Sequence, residues 1–249
     1  MNLYLIIVYG LIFFMLSCDN EDTFNVGILL DGCTSNNDTI EYSNLLYNCG
    51  DLQFLNDFSN VNPSFNDLSL IDIGIQTWSA SGRILDIILY ESHQIDSIPP
   101  SIGDLDALRL LDLSADSQHP GYLEHIPSEI GNLGNLLELY LNYNNLTSLP
   151  ESIGNLSNLQ ELNASYNNLL LIPESIGNLS NLEVLNINDN SLTLIPENLC
   201  NLNTDCLISI YNNALCDEFY YSCFEDFINL NWEWQNQTEC CNDSYGGCP

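Results

Sequence analysis

Prolines recur at a fixed interval of 23 residues in the second half of the chain. Pro127, Pro150, Pro173 and Pro196 mark this period, and the residues between them keep the same order of apolar and polar types. A period of about 20 to 50 residues indicates a solenoid, in which each repeat buries its apolar side chains only against the next repeat. The spacing therefore predicts a stack of similar coils.

Each unit of this period contains the frame LxxLxLxxNxL. The alternation in its LxL part predicts a short strand with leucines directed inward and polar residues outward. The asparagine is expected to bond backbone groups in the turn after the strand, so that successive asparagines form a ladder inside the solenoid. Three frames are complete: Leu136, Leu139, Leu141, Asn144, Leu146; Leu159, Leu162, Ala164, Asn167, Leu169; and Leu182, Leu185, Ile187, Asn190, Leu192.

Three outer units are degenerate, which predicts about six coils over residues 82–216. In the second unit Asp116 replaces the asparagine, and in the last Asp205 occupies the position of the first leucine. Gly131, Gly154 and Gly177 are expected to serve tight turns on the opposite arc. The apolar positions of the outer units are Ile84, Ile87, Leu89; Leu108, Leu111, Leu113; and Ile208, Ile210, Leu215.

These units resemble the leucine-rich repeat family, in the 23-residue form with an LPxxIGNL arc found in plant disease-resistance proteins, Ras-pathway scaffolds and bacterial surface proteins. The resemblance implies an α/β solenoid with a curved parallel sheet on the concave face and short helical or 3-10 arcs on the convex face. Both ends of such a stack expose apolar surface, so end caps are expected. It also implies binding of another macromolecule, an expectation that rests on the fold alone.

Cysteines lie before the repeats or at and after their end, which predicts disulfide-linked caps in an oxidising compartment. Leu52, Leu55, Phe58 and Trp78 are expected to cover the first coil. In the C-terminal segment, an apolar pattern at helical spacing and two tryptophans are interpreted as cap packing. The residues of that segment are Phe219, Cys223, Phe224, Phe227, Ile228, Trp232 and Trp234.

Five segments follow from these patterns. Residues 1–17 are predicted to be a signal peptide, 18–48 an acidic tether, 49–81 the N-terminal cap, 82–216 the repeats, and 217–249 a cysteine-rich C-terminal cap and tail. The first segment holds a fourteen-residue apolar run of about 21 Å as a helix, shorter than the roughly 30 Å hydrocarbon core of a membrane. This length indicates a signal peptide rather than a membrane span.

The junction Met15-Leu16-Ser17-Cys18 resembles a bacterial lipobox, and the acidic residues after it resemble the export signal of surface lipoproteins. The resemblance implies lipidation of Cys18 and an extracytoplasmic location, at the bacterial outer membrane or cell surface. The membrane would then be contacted only through the lipid anchor. The alternative is ordinary signal cleavage and secretion.

The charge balance is strongly acidic. The chain has 34 acidic residues, two arginines and no lysine, for a formal net charge of −32. Binding of nucleic acid is excluded on this ground, because lysine and arginine supply the phosphate-dependent affinity. Two interpretations remain: solubility in a salty medium that screens self-repulsion, or attraction of a basic partner.

The outward positions around the strands are predicted to line the concave face and to bind a protein ligand, possibly a basic one. Tyrosine offers contact area at low entropic cost, and asparagine offers adaptable hydrogen bonds. A glycan ligand is the alternative, favoured if Trp232 and Trp234 are exposed. The predicted binding residues are Glu138, Tyr140, Asn142, Tyr143, Glu161, Asn163, Ser165, Tyr166, Val184, Asn186, Asn188, Asp189 and Tyr211.

No catalytic motif accompanies the repeats, so the sequence predicts a protein that is not an enzyme, without a cofactor or a metal. The three histidines, His93, His119 and His125, fall near the first two coils. A cation site among them is the weaker alternative to plain loop residues.

Overall fold

A computed structural model of the chain describes most of the repeat region and part of both ends. The described residues are 3–8, 11–16, 33–36, 39–42, 45–65, 68, 73–89, 95–215, 223 and 230–231. The predicted lipidation site Cys18, His93 and the C-terminal cap residues Phe219, Phe224, Phe227, Ile228, Trp232 and Trp234 lie outside them. Two antiparallel hairpins precede the solenoid: β1 (Leu3–Val8) with β2 (Leu11–Leu16), and β3 (Thr39–Tyr42) with β4 (Leu45–Asn48).

An eight-stranded sheet forms one side of the solenoid, with its strands in sequence order from β5 to β12. All neighbours from β6 to β12 are parallel, since each strand follows its neighbour by one coil, whereas β5 is antiparallel to β6. The strands are β5 (Ile75–Trp78), β6 (Ile84–Ile88), β7 (Leu110–Asp112), β8 (Glu138–Tyr140), β9 (Glu161–Asn163), β10 (Val184–Asn186), β11 (Leu207–Ser209) and β12 (Leu230–Asn231).

Short 3-10 helices form the opposite side, one between each two successive strands from β6 to β11. Every one follows a proline in extended conformation, such as Pro150 with φ −70° and ψ 148°. The parallel sheet with 3-10 arcs implied by the resemblance is therefore confirmed. The arcs are Pro100–Asp104, Ser128–Asn132, Glu151–Asn155, Glu174–Asn178 and Glu197–Asn201; a further 3-10 turn, Pro63–Phe65, belongs to the N-terminal cap.

The core consists of rows of apolar residues that run along the stack. Leu139, Leu162 and Leu185 are partners in the strand register, and each is fully buried. A buried leucine contributes on the order of 1.5–3 kcal/mol to folding. Because identical positions repeat, each coil buries its leucines against those of the next one.

The predicted asparagine ladder is confirmed inside this core. Asn167 is typical: its Nδ2 donates to the carbonyls of Leu141, at 2.9 Å, and Ala164, at 3.2 Å. Its Oδ1 accepts from the backbone N–H of Leu146 at 3.0 Å. One side chain thus bonds the backbone of its own coil and of the preceding coil inside the buried core.

The arc glycines are required for close packing between coils rather than for turns. A Cβ atom on Gly154 would lie 2.4 Å from the carbonyl oxygen of Ser175 in the next coil, and one on Gly177 would lie 2.0 Å from that of Asn198. Neither glycine has a positive φ. The expectation that these glycines serve tight turns was therefore wrong, because close packing against the next coil is what requires them. In the last arc Cys200 takes the glycine position and forms a disulfide with Cys223.

The last coil also differs from its sequence interpretation. Asp205 is exposed, whereas Cys206 is 1% exposed and belongs to the core. The turn before the strand is displaced by one residue, because the N–H of Cys206 bonds the carbonyl of Asn203. The cysteine, rather than Asp205, thus replaces the first leucine of the frame.

The N-terminal cap is a helix, Cys49–Val61, that lies over the first coil. Leu52, Leu55 and Phe58 are completely buried, as predicted. Trp78 is half-buried and meets the ring of Tyr47 edge to face at 4.9 Å. A disulfide between Cys33 and the first helical residue, Cys49, links the cap to the chain before it.

A buried ion pair connects this cap to the first strand. Asp51, fully buried in the helix, receives N–H bonds from the Arg83 guanidinium at 3.0 Å and from the Ile84 backbone at 2.6 Å. Arg83 also pairs with Asp106 of the next coil. Arg109 pairs with Asp86 at 3.2 Å. Both arginines of the chain are therefore paired at the N-terminal end of the solenoid.

Candidate functional site

The predicted concave face is formed by the outward residues of the strands, aligned in rows by the register. Glu138, Glu161 and Val184 occupy one row, and Tyr140, Asn163 and Asn186 occupy the next outward row. Each of these six side chains is half-buried. The structure therefore places residues that are 23 positions apart in sequence side by side on one surface.

Carboxylates surround a tyrosine at the centre of this face. The hydroxyl of Tyr140 donates to Glu138 at 2.9 Å. Burial, the bond to Glu138 and the negative charge of Glu161 raise the pKa of Tyr140 above its usual range, so it stays a neutral donor. Glu138 and Glu161 are direct partners on adjacent strands, an arrangement that is unfavourable between like charges.

Beyond the strands β8 to β11, one residue in each of these four coils has the left-handed backbone conformation. These four residues, called the turn tract below, are Tyr143 (φ 59°), Tyr166 (φ 54°), Asp189 (φ 53°) and Asn212 (φ 51°). Asparagine and aspartate tolerate this conformation, whereas for other side chains it costs about 1–2 kcal/mol. The two tyrosines are thus held in a conformation that their type disfavours.

The tyrosines of the turn tract stack on each other. Their ring centroids are 4.2 Å apart and their planes differ by 6°. Tyr166 remains 41% exposed. The negative charge of Asp189 is the main cause that raises the pKa of Tyr166 to about 12. Asp189 itself accepts bonds from the amides of Asn212, at 2.8 Å, and Asn188, at 2.7 Å.

Two of the predicted binding residues are directed into the turn instead of outward. Ser165 and Asn188 are each 5% exposed. The hydroxyl of Ser165 donates to Asn163 at 2.7 Å, and Asn188 donates to Asp189. Ser165 and Asn188 thus support the surface residues Asn163 and Asp189 through hydrogen bonds. Asn142 and Tyr211 lie in the same row as Ser165 and Asn188, but these two side chains are only half-buried.

No basic side chain lies on the face beyond β7, since the only two arginines of the sequence are bound at the N-terminal end. His119 contacts Asp116 at 3.5 Å, and His125 is exposed. Among the described residues, no three His, Cys, Asp or Glu side chains come together in a way that could hold a metal ion.

A second asparagine ladder was missed in the sequence. Asn135, Asn158 and Asn181 are exposed, and each donates to a backbone carbonyl of the preceding coil at 2.6–2.7 Å. The signal was present as the second asparagine of the repeated GNLxNL stretch. The repeat period alone does not indicate which coil this asparagine would contact.

Family comparison agrees with this geometry. Two models described as leucine-rich repeats match residues 121–169 and 181–202. Residues 121–169 and 181–202 are thus leucine-rich repeats. No curated protein sequence matches the chain. In the described part of the chain, no helix has the length and apolar character needed to span a membrane.

Solved structures with the same fold come from bacteria and plants. A leucine-rich repeat protein of Leptospira interrogans is 26% identical with a TM-score of 0.53, over 60% of this chain and 37% of that one. A plant ice-binding protein is 28% identical with a TM-score of 0.59, over 68% and 57%. A chain of the BIR3–SERK2 complex from Arabidopsis thaliana is 26% identical with a TM-score of 0.50, over 66% and 93%. The present chain thus spans less than two thirds of the first two.

Proposed function

We propose that this leucine-rich repeat protein is a non-enzymatic, extracytoplasmic recognition protein whose concave face binds a basic protein ligand. The observation that carries the proposal is the pair of carboxylates beside Tyr140, Glu138 and Glu161, which no basic side chain of the chain neutralises. Lysine or arginine of a ligand would relieve the repulsion between Glu138 and Glu161. Complementary charge of this kind also accelerates association.

The fold and the cysteines support the proposal. One similar structure is a chain in a complex of two proteins, BIR3 and SERK2. The disulfides Cys33–Cys49 and Cys200–Cys223 favour an oxidising, extracytoplasmic compartment. Lipid anchoring through Cys18 is part of the proposal, and mass spectrometry of the mature protein from its native cell tests it: an unmodified Cys18 would contradict the anchor.

A displayed random peptide library, selected on the full chain, tests the binding surface. We expect the selected peptides to be rich in lysine and arginine. Their binding should be lost in Tyr140→Ala and strongly weakened in Asn163→Arg and Asn186→Arg, while thermal unfolding changes little. Glu174→Gln, an exposed change on the opposite arc, is the matched control. Peptides that bind all four variants equally would refute a concave-face site, and a positive glycan array would favour the glycan alternative.

A second candidate is binding of ice, favoured by a regular row on the convex side. Asn132, Asn155, Asn178 and Asn201 end successive arcs, and all four are exposed. Identical amides at the ends of these four arcs form a periodic array, and the similar plant structure is an ice-binding protein. Inhibition of ice recrystallisation by the full chain, abolished in Asn155→Leu with Asn178→Leu, is the expected result. Equal activity of the variant would refute it.

A further inference from the structure

We propose that the turn tract is a site for an arginine side chain of the ligand, whose guanidinium stacks on Tyr166 and pairs with Asp189. This inference rests on the proposed function, since it names the chemistry that the ligand brings to one end of the concave face. It identifies a specific contact within a surface that is otherwise only broadly acidic.

The stack of tyrosine rings supplies one half of the site. Tyr143 covers one face of Tyr166 in parallel contact at 4.2 Å, yet Tyr166 keeps 41% of its surface accessible. The next coil places no ring at this position, because its residue in the turn tract is Asp189. A planar cation from outside can therefore continue the stack beside Tyr166.

The carboxylate of Asp189 supplies the other half. Its two oxygens offer about four acceptor positions, and each oxygen receives one amide bond, from Asn212 and Asn188 respectively. The amides fix the orientation of the carboxylate without neutralising it, and both arginines of the chain are bound elsewhere. Asp189 is thus an oriented anion with acceptor capacity left for a donor pair.

Arginine fits these two halves better than lysine does. Its guanidinium is planar, stacks on aromatic rings, and presents paired N–H donors to a carboxylate. A lysine ammonium is a point charge that is more strongly hydrated and cannot stack in the same manner. Attraction between a cation and an aromatic ring also adds to the pairing with Asp189.

Two short blocked peptides, acetyl-Gly-Arg-Gly-amide and acetyl-Gly-Lys-Gly-amide, serve as probes for the full chain in NMR titrations. We expect the arginine peptide to bind more tightly than the lysine peptide by about 2- to 30-fold, the range expected for one cation–aromatic contact. Tyr166→Asn should reduce this ratio, leaving only the preference that arises from the paired donors of arginine to Asp189. Asp189→Asn should weaken both peptides, and Glu174→Gln should change neither.

The Tyr166→Asn variant is chosen because the chain itself holds asparagine at the equivalent position, Asn212, with φ 51°. It therefore keeps the backbone and removes the ring. Equal affinities of the two peptides for the unaltered chain, no binding of either, or an unchanged ratio in Tyr166→Asn would each overturn the arginine site. The proposed function would fail separately, if library peptides still bound Tyr140→Ala.

Discussion

The N-terminal end and the middle of the solenoid are held by different contacts. At the N-terminal end, single contacts such as Asp51 with Arg83 and Cys33 with Cys49 occur once each. In the middle, from residue 121 to 202, the same contacts recur in each coil: a leucine row, an asparagine ladder and a glycine against the next backbone. Opposite charges attract at the end, whereas like charges face each other in the middle.

This difference separates stability from recognition. The N-terminal cap covers the apolar surface of the first coil, and the ion pair between Asp51 and Arg83 that connects it to the first strand occurs only once in the described residues. The repeated coils already have their stability from rows of identical core residues, which leaves the outward positions free to hold unfavourable charge and left-handed tyrosines. Variants that act on one region and spare the other test this division.

The largest effect is expected at the end. Arg83→Met leaves Asp51 buried without a cation and should lower the free energy of unfolding by about 3–5 kcal/mol in denaturant titrations. The double variant Asp51→Leu with Arg83→Met should recover most of this loss, since no uncompensated charge remains. A single variant as stable as the parent would show that the ion pair does not hold the cap.

Removal of one ladder side chain should have the next largest effect. Asn167→Leu deprives backbone groups of Leu141, Ala164 and Leu146 of their partner, which should cost about 2–4 kcal/mol in the same measurement. Asn168→Leu, an exposed neighbour, is the control. Similar stability of both variants would contradict the role of the ladder.

A methyl group on an arc glycine should cost about 1–3 kcal/mol. In Gly154→Ala the added Cβ meets the carbonyl of Ser175 at 2.4 Å, so the next coil must move away. Gly134→Ala is the matched control, because its Cβ would meet nothing within 4 Å. A thermal shift that is equal in the two variants would show that the coils are not closely packed at this side.

Removal of a carboxylate from the middle of the solenoid should increase the stability of the fold. Glu161→Gln removes one of two facing negative charges and should stabilise the fold by about 0.2–1 kcal/mol, less at high salt. A loss of stability that persists at high salt would mean that the charged pair contributes favourably.

The smallest effect concerns alkaline pH. The pKa of Tyr166 in the fold is about 12, above its usual value of about 10, so the stability it contributes is complete below pH 10 and is lost as pH rises toward 12. Asp189→Asn should lower the pKa of Tyr166. The absorbance of the phenolate measures this pKa, and the Tyr166→Asn variant serves as the blank. An unchanged pKa would contradict the electrostatic effect of Asp189 on Tyr166.

The sequence predicted the coils well because their signal is local and periodic. The frame around Leu162 and Asn167 identified core and ladder residues correctly, and the six coil strands followed from it. It failed where the period breaks. Cys206 enters the core in place of Asp205, and β5 adds an antiparallel strand, because the last and first coils have no regular neighbour.

The candidate site was predicted as a set of positions, not as an arrangement. Alternation identified Tyr143, Tyr166 and Asp189 as outward residues, but it also included Ser165 and Asn188, which the turn buries. Left-handed φ values have no signature in a tyrosine, so neither the turn tract nor its stacked rings were foreseeable from residue types.

The sequence by itself determined the repeat, its period and the apolar rows, because burial of a coil against its copy depends only on residues at fixed spacing. Only the tertiary structure decided which neighbours meet across coils: Tyr143 on Tyr166, Gly154 on Ser175, and Asp51 under Arg83. These contacts depend on the register and closeness of stacking, which arise when all the coils pack together and which no single segment encodes.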